Sequence, residues 1–413
     1  MEEASSRGIG AYVWVFVLKG GREMFKAATV VGTDSYSRDA GQRLGDALIK
    51  ELGQRPDACW LFCAPGDGLR DLVAGAFDAA GTKKFIGCTT DGEISTAGFS
   101  IGSAVLAGIA TDQINFEVAS VSTISRGGDR AGEELAHALP NTARHVQVLS
   151  DGLTGNGSAL ARGMTSVLGS QVPISGGAAG DARQFKQTWQ FIGRQVMSDS
   201  AVAIAMSGNF HVGTGVRSGW VPVSIPRKVT RAEGNVVYEF DGEPALAVYR
   251  MYLGPLASKL PAIGVQFPFG IVDESLRLGQ DPILRAPMAL NEQQGSVTFA
   301  GEVPEGATMV LTTGGIVESL LQASEDAATR ALTDLGTSTP AMIFFYSCMA
   351  RKIILGLRTG EECSRISRMV GKGVPIAGFY TYGEYCPSQR DSGCLLHNET
   401  ATVTLIGLPS RDF

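Results

Sequence analysis

Phe85-Ile-Gly-Cys-Thr-Thr-Asp-Gly-Glu93 and Ile376-Ala-Gly-Phe-Tyr-Thr-Tyr-Gly-Glu384 share one pattern: an apolar lead, a glycine, and a later glycine–glutamate step. Val172-Pro-Ile-Ser-Gly-Gly-Ala-Ala-Gly-Asp181 is a third, looser copy. Its Val-Pro-Ile matches Val374-Pro-Ile376, and its inter-glycine segment is one residue shorter. Upstream of each copy lies a strand-like run ending near a small polar residue: Leu61–Cys63, Val146–Ser150 and Ile343–Cys348. The span from each run to the first glycine is similar and holds one helix and two turns, so the unit reads as strand, helix, strand. An apolar stretch follows every copy, at Ser103–Ala110, Ser200–Met206 and Ala401–Leu408. The fold class is therefore α/β, with repeated strand–helix–strand units. Their glycine-pinned turns lie at strand ends, where open α/β sheets bind ligands.

At 413 residues the chain is long enough for two or three domains. Its 53 glycines are spread among apolar runs, which implies many tight turns rather than a linker. A net charge of −6, with no Lys/Arg cluster and no basic amphipathic helix, argues against nucleic acid and membrane partners. Seven cysteines in a chain of this size point to a reducing compartment, hence a cytoplasmic location. Residues 1–23 fit poorly with the rest of the chain: Ala11–Leu18 is too short to span a bilayer, and Met1-Glu-Glu3 has the wrong charge for a secretory signal. Because Met24 opens a strand, Phe25–Val31, the segment 1–23 reads as a non-native or disordered extension, or alternatively as an edge strand.

The chain divides into two halves, 24–213 and 214–413, at the glycine-rich passage Gly208–Gly219. Helices are predicted at Ser37–Leu52, Gly68–Ala80, Ala131–Ala138 and Gly155–Leu168. In the second half, which mixes in α+β elements, hairpins are predicted about Glu233–Asn235 and Gln293–Gly295. A helix starts after Asp241-Gly-Glu-Pro244.

Enzyme signatures fail on context. Gly98-Phe-Ser-Ile-Gly102 has the spelling of a nucleophile elbow but leads into a strand rather than a helix. No Walker loop and no complete G-x-G-x-x-G is present, and Cys59 and Cys63 lack partners at zinc spacing, so no enzyme is expected. Cys348 ends a strand, and Arg351 three residues on would lower its pKa; the alternative is a small hydrophobe at a crowded strand end. Of four histidines, His137, His145 and His211 read as surface or cap residues. His397 runs beside Tyr380, Tyr382 and Glu384, either as a hydrogen-bonded structural residue or as an axial donor to iron. The repeated Gly-Glu and Gly-Asp steps suit recognition of an amino acid's carboxylate and ammonium, or equally the capping of tight turns.

Seven separated segments, in order, resemble the FIST (F-box and intracellular signal transduction) family. They are Gly87–Ile94, Gly176–Asp181, Gly219–Pro222, Asp241–Ala245, Phe345–Cys348 with Arg351, Gly378–Glu384 and Leu396–Thr400. The resemblance covers nearly the whole chain from Met24. It implies a sensory module with a FIST N domain over 24–213 and a FIST C domain over 214–413, binding small ligands such as amino acids. A bacterial branch of the family senses nitric oxide through haem and acts on histidine kinases. In that form His397 would be the axial ligand to the haem iron, and Tyr380, Tyr382, Glu384 and Asn398 would contact the cofactor. Cys348 and Arg351 would form the floor or meet a propionate. The haem-free alternative binds an amino acid or other small polar molecule. With no kinase, cyclase, F-box or receptor segment in the sequence, the expected signalling partner is a separate protein, a histidine kinase in the first instance.

Overall fold

The computed structural model describes residues 10–17, 24–272 and 281–409. Three units repeat one order of elements. Strand β1 (Gly10–Val17) precedes the first. Unit 1 runs β2 (Met24–Gly32), α1 (Arg38–Leu52), β3 (Ala58–Cys63), α2 (Leu69–Ala80), β4 (Phe85–Thr89), the hairpin β5 (Glu93–Ser95) with β6 (Gly98–Ser100), and β7 (Ala104–Thr111). Unit 2 runs β8 (Ile114–Ser122), α3 (Gly128–His137), β9 (His145–Ser150), α4 (Gly157–Leu168), β10 (Ile174–Ala178), the hairpin β11 (Gln190–Ile192) with β12 (Gln195–Met197), and β13 (Ser200–Gly208). Local chemistry sets the helix starts: Ser37 and Asn156 each accept a backbone N–H of the first turn at 3.1 Å, capping α1 and α4.

Unit 3 opens with β14 (His211–Arg217) and is then interrupted by residues 218–316, where units 1 and 2 have only the short connections 33–37 and 123–127. The insertion holds β15 (Val221–Pro222), β16 (Arg227–Glu233), β17 (Val236–Phe240), β18 (Glu243–Pro244), α5 (Ala245–Leu253), β19 (Phe269–Val272), β20 (Ile283–Arg285), β21 (Pro287–Asn291), β22 (Ser296–Phe299) and β23 (Thr308–Thr313). These strands form one antiparallel sheet, and α5 packs on it with Tyr249 joining Phe240, Phe269 and Phe299 in one apolar cluster. The two predicted hairpins and the helix after Pro244 all lie in this module. Unit 3 then resumes with α6 (Val317–Leu335), β24 (Thr339–Cys348), α7 (Met349–Leu355), α8 (Glu361–Val370), β25 (Ile376–Thr381), the hairpin β26 (Glu384–Pro387) with β27 (Cys394–His397), and β28 (Ala401–Leu408).

The sheet cores have the same order: β2-β7-β3-β4, β8-β13-β9-β10 and β14-β28-β24-β25. In each the last pair is parallel, with Leu61 opposite Gly87, Val148 opposite Gly176, and Phe345 opposite Gly378. A Cβ on those glycines would lie 2.1, 1.9 and 1.7 Å from the carbonyl oxygen of its register partner. The first glycine of each sequence copy is therefore required by backbone approach inside the strand, before the turn begins.

Each hairpin leaves its own unit and extends the sheet of another. β5 pairs β25, β26 pairs β10, and β11 pairs β4, which closes a cycle from unit 1 to unit 3 to unit 2 and back. The exchange covers three sheet edges at once. It also interlocks the two expected halves, since residues 93–100 complete the sheet of unit 3 and residues 384–397 that of unit 2. The inner faces of the three sheets meet in one apolar core, with Phe62 against Phe379 and Trp60 against Phe344 at ring separations of 5.0 and 4.9 Å. Helices α1 and α2, α3 and α4, and α6 and α8 cover the outer faces. β1 pairs antiparallel with β2, so residues 10–17 take the edge-strand alternative; the rest of 1–23 lies outside the described residues. No described helix is long and apolar enough to cross a membrane.

Candidate functional site

The three turns meet. Tyr380 N–H donates to Gly92 O at 2.8 Å and Asp91 N–H to Tyr380 O at 2.9 Å; Ala178 N–H donates to Gly383 O at 2.7 Å and Tyr382 N–H to Ala178 O at 3.0 Å. Thr89 closes the ring, donating to Trp189 O at 2.9 Å and accepting from Gly180 N–H at 3.0 Å. Thr89, Ala178 and Tyr380 are thus equivalent positions, and the turn of unit 2 carries an extra loop, 181–188. Asp181 holds that loop by accepting the N–H groups of Phe185, Lys186 and Gln187 at 2.9, 2.7 and 3.1 Å.

The glutamates of the Gly-Glu steps are spent on structure. Glu93 accepts the Thr90 hydroxyl and the N–H and hydroxyl of Ser103, the latter two at 3.0 and 2.8 Å. Glu384 accepts the Thr381 hydroxyl and the N–H and hydroxyl of Thr400, the latter two at 3.2 and 2.7 Å. Each carboxylate fastens its turn to the start of the last strand of its unit. Burial raises both pKa values, that of Glu384 to about 7.

The residues singled out in the sequence separate into three groups. Tyr380 and Arg351, both fully buried, turn to Glu362: the Tyr380 hydroxyl donates at 2.6 Å, and Arg351 Nε and Nη2 at 3.0 and 2.8 Å. Arg351 also donates to Ser324 Oγ at 2.9 Å and to the carbonyls of Ser218 and Leu320. It therefore does not activate Cys348 as the sequence suggested. Burial first, then Glu384 and Glu399, push that thiol well above its ordinary pKa. Tyr382 lies apart, donating to Asp181 at 2.6 Å, stacked on Phe185, and accepting Arg183 N–H at 2.8 Å. Its equivalent in unit 1 is Asp91, buried 2.7 Å from Lys352 Nζ; burial raises the carboxyl and lowers the ammonium pKa despite the pairing.

The third group gathers Cys348, Glu384, His397, Asn398 and Thr400 where unit 3 meets the inserted module. Cys348 N–H donates to Thr400 O at 3.0 Å, and His397 is the register partner of Glu384. His397 is buried; its Nε2 lies 3.0 Å from Cys386 O, and burial lowers its pKa to about 4. His145, expected as a surface or cap residue, is fully buried as well, 2.8 Å from Pro173 O and 3.3 Å from Ser175 Oγ, with its pKa lowered to about 4. His397 and Thr400 line a cleft with Arg217 and Arg330 from unit 3 and Ser218, Asp281, Pro282 and Ile283 from the insertion. Its cavity volume is about 20 Å³, room for roughly one water.

Between those two lining residues lies the least satisfied polar group of the region. Both carboxylate oxygens of Glu399 are buried without a hydrogen-bond partner, as is Asn398 Oδ1. The Glu399 backbone is left-handed, with φ of 55°. The carboxyl pKa is raised well above its usual value by burial and then by Glu384, against the nearby Arg285. Sequence reasoning passed over Glu399, Glu362, Arg217 and Arg330. Only Glu399 stood inside a quoted motif, and the others become meaningful through contacts distant in the chain.

Comparison with known proteins matches residues 57–243 to the FIST N domain and residues 245–387 to the FIST C domain. An uncharacterized protein of Mycobacterium tuberculosis (strain ATCC 25618 / H37Rv) is 28% identical over 240 residues, and one of Mycobacterium bovis (strain ATCC BAA-935 / AF2122/97) is 29% identical over 240. Each alignment covers 56% of this chain and spans 60% of the relative's length. An uncharacterized protein of Methanocaldococcus jannaschii is 28% identical over 235 residues, 54% of this chain and 45% of its own. With its two domain matches meeting at the inserted module, the chain belongs to the FIST family and carries both a FIST N and a FIST C domain.

Proposed function

We propose that this FIST protein is a non-catalytic cytoplasmic sensor whose ligand is a small polar molecule, an amino acid in the first instance, bound at the seam between unit 3 and the inserted module. Signal passes to a separate protein such as a histidine kinase. The observation that carries the reading is the set of orphaned polar atoms on Asn398 and Glu399, next to a cleft that both parts of the molecule line. An unpaired buried polar group costs about 1–3 kcal/mol, so a cluster of them is retained for a reason other than stability. In unit 1 the residues just before Ser103 are exposed, Ile101 at 68%, and carry no such cost. A ligand that binds one arrangement of the seam better than another biases the position of the insertion, which is what a sensor requires.

The haem and nitric oxide form of the reading draws on His397, whose ring has one nitrogen anchored by a carbonyl, as metal-bound imidazoles commonly do. Haem would supply an iron centre for the gas. The cleft beside His397 has room for about one water in this structure, so either ligand requires the seam to open, and the smaller one requires less opening. One pair of measurements tests both forms: melting temperature against a panel of amino acids, and the absorption spectrum on titration with hemin. The reading expects at least one amino acid to stabilise the wild type, by about 2.7 kcal/mol at a hundredfold excess over Kd, and less so after Glu399→Gln. A Soret band that shifts in His397→Ala would favour haem instead. No response to any compound, with only the spectrum of free hemin, would sink the sensor reading.

A further inference from the structure

We propose that the seam cleft recognises its ligand through a small anionic group, a carboxylate or a phosphate, held between Arg217 and Arg330. The proposal rests on the cleft being the ligand site and names the chemistry that fills it. The two arginines come from different elements, the end of β14 and the C-terminal half of α6. They are brought together because α6 lies directly on β14. A Cβ at Gly213 would be 2.0 Å from Ala331 O and one at Gly215 2.0 Å from Ala327 O, so only glycine admits the helix this close. Arg217 follows two positions along the strand from Gly215, Arg330 adjoins Ala331, and both line the cleft.

Neither guanidinium has a carboxylate partner among the described residues. Three arginines of α7, α8 and the turn between them differ: Arg351 is paired with Glu362, Arg358 with Glu361, and Arg365 with Glu318. The acids nearest the cleft arginines are engaged elsewhere. Asp281 accepts Ser218 N–H and hydroxyl at 2.6 and 3.1 Å, and Asp334 accepts Thr214 N–H at 2.9 Å. Arg330 is half-buried, and its pKa is lowered by desolvation and then by the charge of Arg217, which outweigh the opposing pull of Asp281 and Asp334. His397 adds no positive charge near neutral pH, since its pKa is lowered to about 4. The cleft therefore holds two arginines against one lining carboxylate, Asp281, which is already engaged by Ser218 and forms no ion pair with either; the like charges carry a cost in the free protein that an anion would relieve. The planar guanidinium fork matches carboxylate and phosphate oxygens. The cavity itself has room for about one water, so the anionic group would sit at the mouth of the cleft between the two arginines, with the remainder of a larger ligand outside it.

The test uses the full chain and two variants, Arg330→Gln and Arg217→Gln, with folding checked by far-UV circular dichroism. Acetate, inorganic phosphate and chloride are compared at equal ionic strength by melting temperature and isothermal titration calorimetry. Acetate or phosphate should stabilise the wild type above chloride, and each variant should lose at least tenfold in affinity for that anion. Acetate alone marks a carboxylate ligand and phosphate alone a phosphate. In chloride, Arg330→Gln should melt at or above the wild-type temperature, because it removes the repulsion. Anions that act no better than chloride, or that stabilise both variants as well as the wild type, overturn the clamp. If an amino acid still stabilises wild type and variants alike, the seam remains the ligand site and only its anionic recognition fails. If Arg330→Gln does not fold, Arg217→Gln decides by the same criteria.

Discussion

In unit 1 Glu93 is held by Thr90 and Ser103; in unit 3 Glu384 is held by Thr381 and Thr400, through the same kinds of donor in the same places. The units differ in what surrounds that shared fastening. Unit 1 approaches its last strand through exposed residues, whereas unit 3 does so through buried His397, Asn398 and Glu399, beside an insertion that unit 1 lacks. Whatever recurs in both units is explained by the fold. What unit 3 has in surplus is unexplained by it, and that surplus is where a ligand site is to be sought.

The largest expected effect belongs to unit 3 alone. Arg351 and Glu362 form a fully buried ion pair that also binds Tyr380, Ser324 and Ser347. Breaking such a pair from one side leaves a buried charge and costs about 3–5 kcal/mol. Arg351→Met should lower the urea midpoint accordingly, and a loss under about 1 kcal/mol would show that the pair is not the organising contact of unit 3.

Next is the response to acid. His397 in unit 3 and His145 in unit 2 are held neutral, with pKa values near 4 against 6.5 when unfolded. Between these values the unfolded chain binds protons that the native state does not, so stability is fully present above about pH 6.5 and falls as pH drops toward 4. Each histidine contributes up to about 3 kcal/mol of that loss, at about 1.4 kcal/mol per pH unit. Glu384 acts in the opposite direction: its raised pKa of about 7 favours the native state most below pH 4.5 and loses that contribution as pH rises through 7. Comparing urea midpoints of wild type and His397→Asn from pH 4 to 7 isolates the histidine. An unchanged acid slope in the variant would place the titration elsewhere.

Glu93→Gln and Glu384→Gln test the shared fastening directly. In each, an amide N–H₂ replaces an oxygen that faces donors, at an expected cost of about 1–3 kcal/mol, similar in the two units. Only the unit 3 variant should also alter ligand response at the seam. Equal effects on ligand response would remove the distinction between the units, and strongly unequal stability losses would deny their equivalence.

The repeat was legible because it is local. The spacing of Gly87, Gly176 and Gly378 from the preceding strands, the helix beginning near Ser37 and the apolar last strands are all written within single units. The hairpin exchange was not, because Ile94 meets Gly378 and Gln190 meets Cys88 only after the sheets assemble. The site residues were legible as types but not as partners. Arg351 pointed in sequence toward Cys348 and in space toward Glu362. The Gly-Glu steps read equally as ligand groups or caps, and their hydrogen bonds make them caps. Arg217 and Arg330 carry no motif at all, since their meeting depends on Gly213 and Gly215 admitting a helix far along the chain.

The smallest expected effect concerns Asp91 and Tyr382, equivalent positions given different work. Asp91 meets Lys352 in a buried pair, whereas Tyr382 reaches across to unit 2, donating to Asp181 and accepting from Arg183 N–H. Its hydroxyl thereby buttresses the carboxylate that holds the N–H groups of Phe185, Lys186 and Gln187. Tyr382→Phe keeps the ring and its stacking on Phe185 but removes both hydrogen bonds, at about 1 kcal/mol in total because the site is only part-buried. The global melting temperature should move little. Amide exchange at Lys186 and Gln187 should quicken by about fivefold if that energy is spent locally, while exchange in β4 and β25 stays unchanged. Faster exchange throughout all three turns would mean that Tyr382 supports the whole junction, and that its position, like that of Asp91, belongs to the shared fastening rather than to the loop of unit 2.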